Sequence, residues 1–273
     1  RRHRQISETD DLMEPRQINH DTTAKTILGQ SLPTNQMIQQ DLDDALDIIF
    51  AHPNVAPFVS VRLIRALVTS NPSPAYIARI SAVFNDNGQG VHGDLKSVIR
   101  AILLDPEARD DNPAPQFGRL RSPMQHTIAF LRAMNANINE PLSFGYLYTG
   151  MGESILNAPT VFGHYSPLYK MPGSNQLFAP EFQIYTPTET INRANFIYWM
   201  MNEGPVDLTP FTGIAANSTE LINAVDTRLL DGRMTPEMRA SITKALLSST
   251  DNRSRALTVL YLVAASGDFI IQR

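Results

Sequence analysis

From Asp41 onward the apolar residues return with a period near 3.6, the signature of helices with one apolar stripe. Leu42, Leu46, Ile49 and Phe50 fall at i, i+4, i+7 and i+8 behind Asp41, Asp43 and Asp44, acids that suit a helix N-terminus. They predict a helix that stops at His52-Pro53. Phe58, Val61, Ile64, Leu67 and Val68 predict a second, entered through Pro57 and closed by Ser70-Asn71-Pro72. Tyr76, Ile77, Ile80, Val83 and Phe84 predict a third, and Leu95, Val98, Ile99, Ile102 and Leu103 a fourth. A further helix follows Ser122-Pro123, carrying Met124, Ile128, Leu131 and Met134. Helices resume at Glu189 with Ile191, Ala194, Ile197, Tyr198 and Met201. After a Pro/Gly/Thr linker over 204–213, three more are expected around 221–230, 237–247 and 253–265, the middle one with Pro236 near its start and Thr235 as N-cap. No alternating pattern lasts long enough for a sheet and no repeat recurs, so the expected class is all-α, an irregular helical bundle.

Two stretches lack this period. Residues 1–40 are polar and interrupted by Pro15 and Pro33, and are expected to form an extended lead-in arm. The second is residues 137–186: between Phe144 and Tyr185 lie nine aromatics, and Glu153, Lys170 and Glu181 are the only Asp, Glu, Lys or Arg residues from 144 to 185. Pro159, Pro167, Pro172, Pro180 and Pro187 forbid a long helix, yet so many aromatics and so few charges argue for an ordered loop. The expected organisation is one helical domain over 41–273: a bundle at 41–136, the aromatic loop segment, and C-terminal helices at 187–273.

Composition narrows the chemistry. The chain has 273 residues, a formal charge of −4 and 42% hydrophobic residues, enough for a sizeable core. The absence of cysteine excludes disulfides, thiolate zinc sites and cysteine nucleophiles. With 23 basic and 27 acidic residues there is no field to hold a nucleic-acid backbone, so no nucleic-acid partner is expected. The longest apolar stretch, over 256–265, is about half the roughly 20 residues needed to cross a bilayer, so no transmembrane segment is expected. The chain opens on Arg1, Arg2, His3 and Arg4 with no apolar segment like a signal-peptide core following, and reads as a piece of a longer chain.

Several motifs invite a catalytic reading. Gly88-Gln89-Gly90-Val91-His92-Gly93 satisfies G-x-G-x-x-G, but a predicted helix precedes it where a dinucleotide site needs a strand. A glycine-rich turn, with Asp94 capping the next helix, is the favoured reading. Read as a calcium loop with Gly90 at the sixth position, Asn85, Asn87 and Gln89 fall at oxygen-ligand positions, but Lys96 stands where a bidentate glutamate is required. His20-Asp21 offers two metal ligands, while His52, His92, His126 and His164 occur singly without metal spacing. No G-x-S-x-G elbow is present. No metal or cofactor is expected. Glu153 and Glu181 are isolated acids in an apolar region, where desolvation raises a carboxyl pKa and makes a general acid; the commoner outcome is satisfaction by backbone amides or an arginine such as Arg193. The aromatic segment suits either stacking on sugars and apolar ligands or burial against another part of the protein, and burial is favoured.

Gly93-Asp94-Leu95-Lys96 leads into Arg100-Ala101-Ile102-Leu103-Leu104-Asp105-Pro106-Glu107-Ala108-Arg109, and Leu120-Arg121-Ser122-Pro123 follows. Upstream stand His52-Pro53, Phe58, Arg62-Leu63-Ile64 and Pro72-Ser73-Pro74; downstream come Val161-Phe162-Gly163-His164-Tyr165-Ser166-Pro167, Pro172-Gly173 and Ala179-Pro180-Glu181-Phe182-Gln183-Ile184. Together these resemble the bacterial family known as domain of unknown function 1800, over roughly residues 18–273. Gly163 departs from the asparagine expected at that place. The resemblance implies no agreed activity and no catalytic residues. It implies a further helical N-terminal half, export to the periplasm, cell surface or medium, and a protein partner of alkaline-phosphatase-like or sulfatase-like type.

The expected function is that of an exported binding or assembly protein acting with a protein partner or a surface glycan. The candidate ligand or partner surface comprises Phe162, His164, Tyr165, Tyr169, Glu181 and Arg193. The alternative is a hydrolase-like enzyme in which Glu181, Arg193 and His164 or Tyr165 converge beside the aromatic loop, whether the chain is an enzyme at all being left open. A third, purely structural reading has Arg62, Arg65, Arg109 and Asp105 forming salt bridges inside the bundle.

Overall fold

The computed structural model describes residues 14–111, 113–137, 150–154, 157–161 and 163–273. These are mainly helical, with two small antiparallel sheets of two strands each, so the all-α expectation holds in its coarser form. The described residues form two compact units, one within 14–60 and 78–98, the other within 61–77 and 99–273.

Most helices fall where the apolar period places them; the single turn Thr209–Thr212 forms inside the expected 204–213 linker, and Gly267–Ile270 forms beyond the last expected helix. They are α1 (Ile38–Phe50), α2 (Val55–Leu67), α3 (Pro74–Asn85), α4 (Leu95–Leu104) and α5 (Pro123–Ala133). After the aromatic segment come α6 (Pro187–Asn202), the single turn α7 (Thr209–Thr212), α8 (Ser218–Val225), α9 (Pro236–Leu246), α10 (Asn252–Ala264) and the short α11 (Gly267–Ile270). Local chemistry sets their starts. Ser122 and Gln125 form a reciprocal capping box at α5, and Thr235 caps α9 by accepting from Met238 N at 3.2 Å.

In the first unit, β1 (Lys25–Ile27) pairs with β2 (Gln30–Leu32) in the predicted lead-in. Their turn is Leu28-Gly29, both at positive φ (50° and 82°), the pattern that matches the twist of a two-residue hairpin. Asp41 Oδ2 holds this lead-in to α1 by accepting from His20 Nε2 and Lys25 Nζ, both at 2.7 Å. Ile80, Phe84 and Val98 are buried, and the His92 ring meets Phe84 and Phe50 edge-on at 5.1 and 4.7 Å. Gly93 (φ 74°) passes so close under Phe50 that an added Cβ would lie 2.3 Å from Cζ. Leu42, Leu46, Ile49 and Phe50 are exposed, although their stripe predicted the helix; its inward face is carried by Asp41 and its ion pairs. Periodicity fixes the helix but not which neighbour covers its face.

The second unit holds the large core. Its centre is α10, on which apolar residues are spread around the helix rather than along one stripe, as befits a helix packed on several sides. It packs against α6, α7, α8 and α9, and Ala256, Val259, Leu260, Val263 and Ala264 are buried. A second small sheet pairs β3 (Arg119–Leu120) with β4 (Ile271–Gln272), fastening the chain end beside α5 through Arg121 N donating to Ile270 O at 2.8 Å. Gly118 at φ 108° allows that closure: a Cβ there would lie 2.5 Å from Gln272 O.

Candidate functional site

β3 and the turn before it deliver Arg119 into the interior of the second unit. Gly118 donates to Thr69 Oγ1 (2.9 Å) and accepts from Ser70 N (3.0 Å), so the backbone is held on both sides. The Arg119 guanidinium donates through Nη2 to Glu181 Oε1 (3.0 Å) and Gln125 Oε1 (3.2 Å), and through Nη1 to Ala66 O. Glu181 sits in a short 3-10 turn, Pro180–Ile184, opened by Pro180. Both partners are buried, at 6% and 3% exposure. Burial pushes the Glu181 carboxyl above the usual carboxylate range despite the opposing pull of Arg119.

A second buried arginine, Arg193 on α6, donates from Nη1 to Arg121 O (2.8 Å) and lies 4.7 Å over the Tyr185 ring. Its pKa is lowered by burial, with Tyr185, Glu153, Glu189 and Glu181 acting in the opposite sense. Tyr165 belongs to the same neighbourhood. Its hydroxyl is pushed up to about 12, first by burial and then by the Glu181 charge. Around these groups several buried atoms have no hydrogen-bond partner among the described residues: Arg119 Nε, Glu181 Oε2, Arg193 Nε and Nη2, and Glu189 Oε2.

The predicted site residues are thus gathered only in part. Tyr165, Glu181 and Arg193 share one electrostatic environment, but Glu181 takes Arg119, not Arg193, as its ion-pair partner. His164 Nε2 accepts from Ser154 N (3.0 Å), and Glu153 Oε2 accepts from Met124 N (2.8 Å) in the first turn of α5. Tyr169 accepts through its carbonyl from Ala179 N at 2.9 Å, next to the Lys170–Phe178 bridge that folds the loop on itself. Phe162 lies outside the described residues.

Arg119, Gln125, Asn71 and Phe178 were not anticipated. Asn71 clasps Phe178 on both backbone groups, donating from Nδ2 to its carbonyl (2.9 Å) and accepting its N–H on Oδ1 (2.8 Å). Two cations lie over the Phe178 ring, Arg65 at 4.0 Å and Lys170 at 3.5 Å from its centroid. Beside it opens a cleft of about 470 Å³, with Phe117, Arg119, Leu177, Phe178 and Phe182 among its lining residues. The only signal in the sequence was the isolation of charges in an apolar stretch, which marks Glu181 but not its distant partner.

The other candidates are consumed locally. Asp86 Oδ1 accepts from Gly88 N and Gly90 N, Asn87 Oδ1 from Gln89 N and Val91 N, and Asp94 caps α4 through Lys96 N and Ser97 N. The glycine-rich turn therefore uses its own oxygens. Of the third reading, Arg65 donates to Ser70 O and Arg109 to Leu103 O. Among the described residues no group of three His, Cys, Asp or Glu side chains is placed to hold a metal, and no helix is long and apolar enough to cross a membrane.

A family model described as protein of unknown function (DUF1800) matches residues 3–271, nearly the whole chain. The chain belongs to this family. No curated protein and no solved structure shows significant similarity to it. The DUF1800 match agrees with the quoted central motifs, whose Gly93-Asp94 forms the cap of α4 and whose Ser122-Pro123 opens α5.

Proposed function

We propose that this DUF1800 protein is a binding or assembly protein that presents the first unit to a protein partner. One observation carries the reading. Among the described residues of that unit, ten large apolar side chains are exposed (Ile18, Leu28, Met37, Leu42, Leu46, Ile49, Phe50, Phe58, Val91 and Leu95), against five buried apolar residues (Leu32, Ala56, Ile80, Phe84 and Val98). Scattered single apolar residues are ordinary on a surface, but a unit that exposes more large apolar side chains than it buries has the character of an interface.

The test is the triple substitution Leu42→Gln, Leu46→Gln and Ile49→Gln. These side chains are half-exposed in the free chain, so each change should move folding stability by no more than about 0.5 kcal/mol. Binding of an apolar dye and any self-association should fall. A variant that melts far below the parent would show these residues to be core, and the interface reading would fail. The family resemblance supports a setting outside the cytoplasm and a partner of the alkaline-phosphatase-like or sulfatase-like type. Fractionation of the full-length protein that finds it only in the cytoplasm would refute that part.

A further inference from the structure

We infer that the exposed face of α1 docks a basic amphipathic helix, whose apolar stripe meets Leu42, Leu46, Ile49 and Phe50 and whose lysines or arginines meet Asp43 and Asp47. The inference rests on the interface reading of the first unit and adds what the partner carries.

Leu42, Leu46, Ile49 and Phe50 are 45–54% exposed and share one side of α1. Asp43 follows Leu42 and Asp47 follows Leu46, so the two exposed acids form an i, i+4 row along one edge of that stripe. Neither is paired with a cation among the described residues, and Asp43 accepts only from the neutral Gln39 amide (2.9 Å). Asp41 differs: it is buried and takes both His20 and Lys25. No Lys or Arg stands anywhere in α1, so nothing on the helix offsets the negative end of its dipole at Phe50. Across the described residues of the unit there are eight Asp and Glu against four Lys and Arg. The apolar stripe therefore lies in a negative field.

That field decides among the occupants. Amphipathic helices that lie on lipid carry Lys and Arg on the polar face, and an acidic edge is repelled by anionic headgroups. A second copy of α1 would bring more aspartate and no base to meet it. A partner helix with an apolar stripe and a basic edge buries the one and compensates the other, a complementarity that both steers encounter and fixes register.

The test is fluorescence anisotropy on the full chain with two labelled helical peptides of about five turns that share a leucine stripe, one with lysine and one with glutamate at the polar positions. The lysine peptide should bind at least about fivefold more tightly than the glutamate peptide, and more weakly as salt shortens the screening length. Asp43→Asn with Asp47→Asn should reduce its affinity about fivefold, the combined loss of two exposed ion pairs, and should melt with the parent. Equal affinity for the two peptides, or no loss in the double variant, would overturn the inference. Tighter binding to phosphatidylglycerol vesicles than to the lysine peptide would give the face to a membrane and overturn it as well. A parent that binds the apolar dye through Leu42, Leu46 and Ile49 yet takes neither peptide would overturn this inference alone, whereas a triple glutamine variant that melts far below the parent would remove the interface reading with it.

Discussion

Removing one partner of the buried Arg119–Glu181 pair tests the central physical claim about the second unit. In Glu181→Ala the Arg119 guanidinium keeps Ala66 O and Gln125 Oε1 but loses its counter-charge, at a position only 6% exposed. Breaking such a pair from one side costs about 3–5 kcal/mol, mostly because a charge is left without compensation in a poorly solvated place. For a domain of this size, each kcal/mol moves the melting temperature by about 2–4 °C, so a fall of roughly 6–20 °C is expected. Replacing both partners by apolar residues of similar volume, as Arg119→Met with Glu181→Leu, should cost less than the single change, because neither charge remains to be solvated. Urea unfolding at pH 7, followed by far-UV circular dichroism for the parent, both single variants and the double, gives the coupling directly. A cost for Glu181→Ala below about 1 kcal/mol, the range of exposed pairs, would refute the reasoning.

Two pH dependences follow from the other perturbed groups. His126 is 1% exposed, its Nε2–H donates to Ala264 O (3.1 Å), and burial lowers its pKa from 6.5 to about 4. Between those values the unfolded chain binds a proton that the folded one does not. Stability should therefore fall on acidification from pH 6.5 towards 4, by on the order of 3 kcal/mol, and His126→Gln should flatten that slope in urea titrations at several pH values. Parallel slopes for parent and variant would exclude a buried neutral His126. Asp94, held down to about 2 first by Asn87 and then by Ser97, works the other way along the scale. Its contribution is present above 3.8 and lost as pH falls towards about 2, so the gap in melting temperature between the parent and Asp94→Asn should close over that range. A gap of constant size would show that the carboxylate charge is not what the α4 cap uses.

The longer helices were legible because each repeats an apolar residue about every turn and most carry their own punctuation; the short turns Thr209–Thr212 and Gly267–Ile270 have too few residues to show a period. Thr235-Pro236, Ser122-Pro123 and Gly93-Asp94 are starts that a chain must adopt locally, and they appear as written. The two small sheets were not legible. Leu28-Gly29 lacks the usual Asn-Gly of a two-residue hairpin, and β3–β4 joins residues about 150 positions apart over only two residues on each side. The exposure of Leu42, Leu46 and Ile49 was equally hidden, since an amphipathic stripe looks the same whether or not the chain at hand covers it. At the site, isolation in an apolar stretch singled out Glu153 and Glu181, with Arg193 as an example of a pairing arginine, while the pairing of Glu181 went to Arg119, 62 residues away and in no local pattern with it.

Those pairings also bear on whether the second unit can do chemistry. A general acid needs a carboxyl that holds its proton near neutral pH and a proton-bearing oxygen free to give it up. Burial moves the Glu181 carboxyl towards the first property, Arg119 donates to Oε1, and Oε2 is buried with no hydrogen-bond partner among the described residues. Glu181→Gln tests whether that carboxyl acts as an acid. The amide keeps an oxygen for Arg119 but has no carboxyl proton to deliver to a leaving oxygen. No glycoside turnover by the parent would leave the Arg119–Glu181 pair a structural one. Turnover by the parent that disappears in Glu181→Gln, with binding retained, would establish Glu181 as the acid, with Glu153 and Glu189 the carboxylates in its neighbourhood to examine as the second catalytic group.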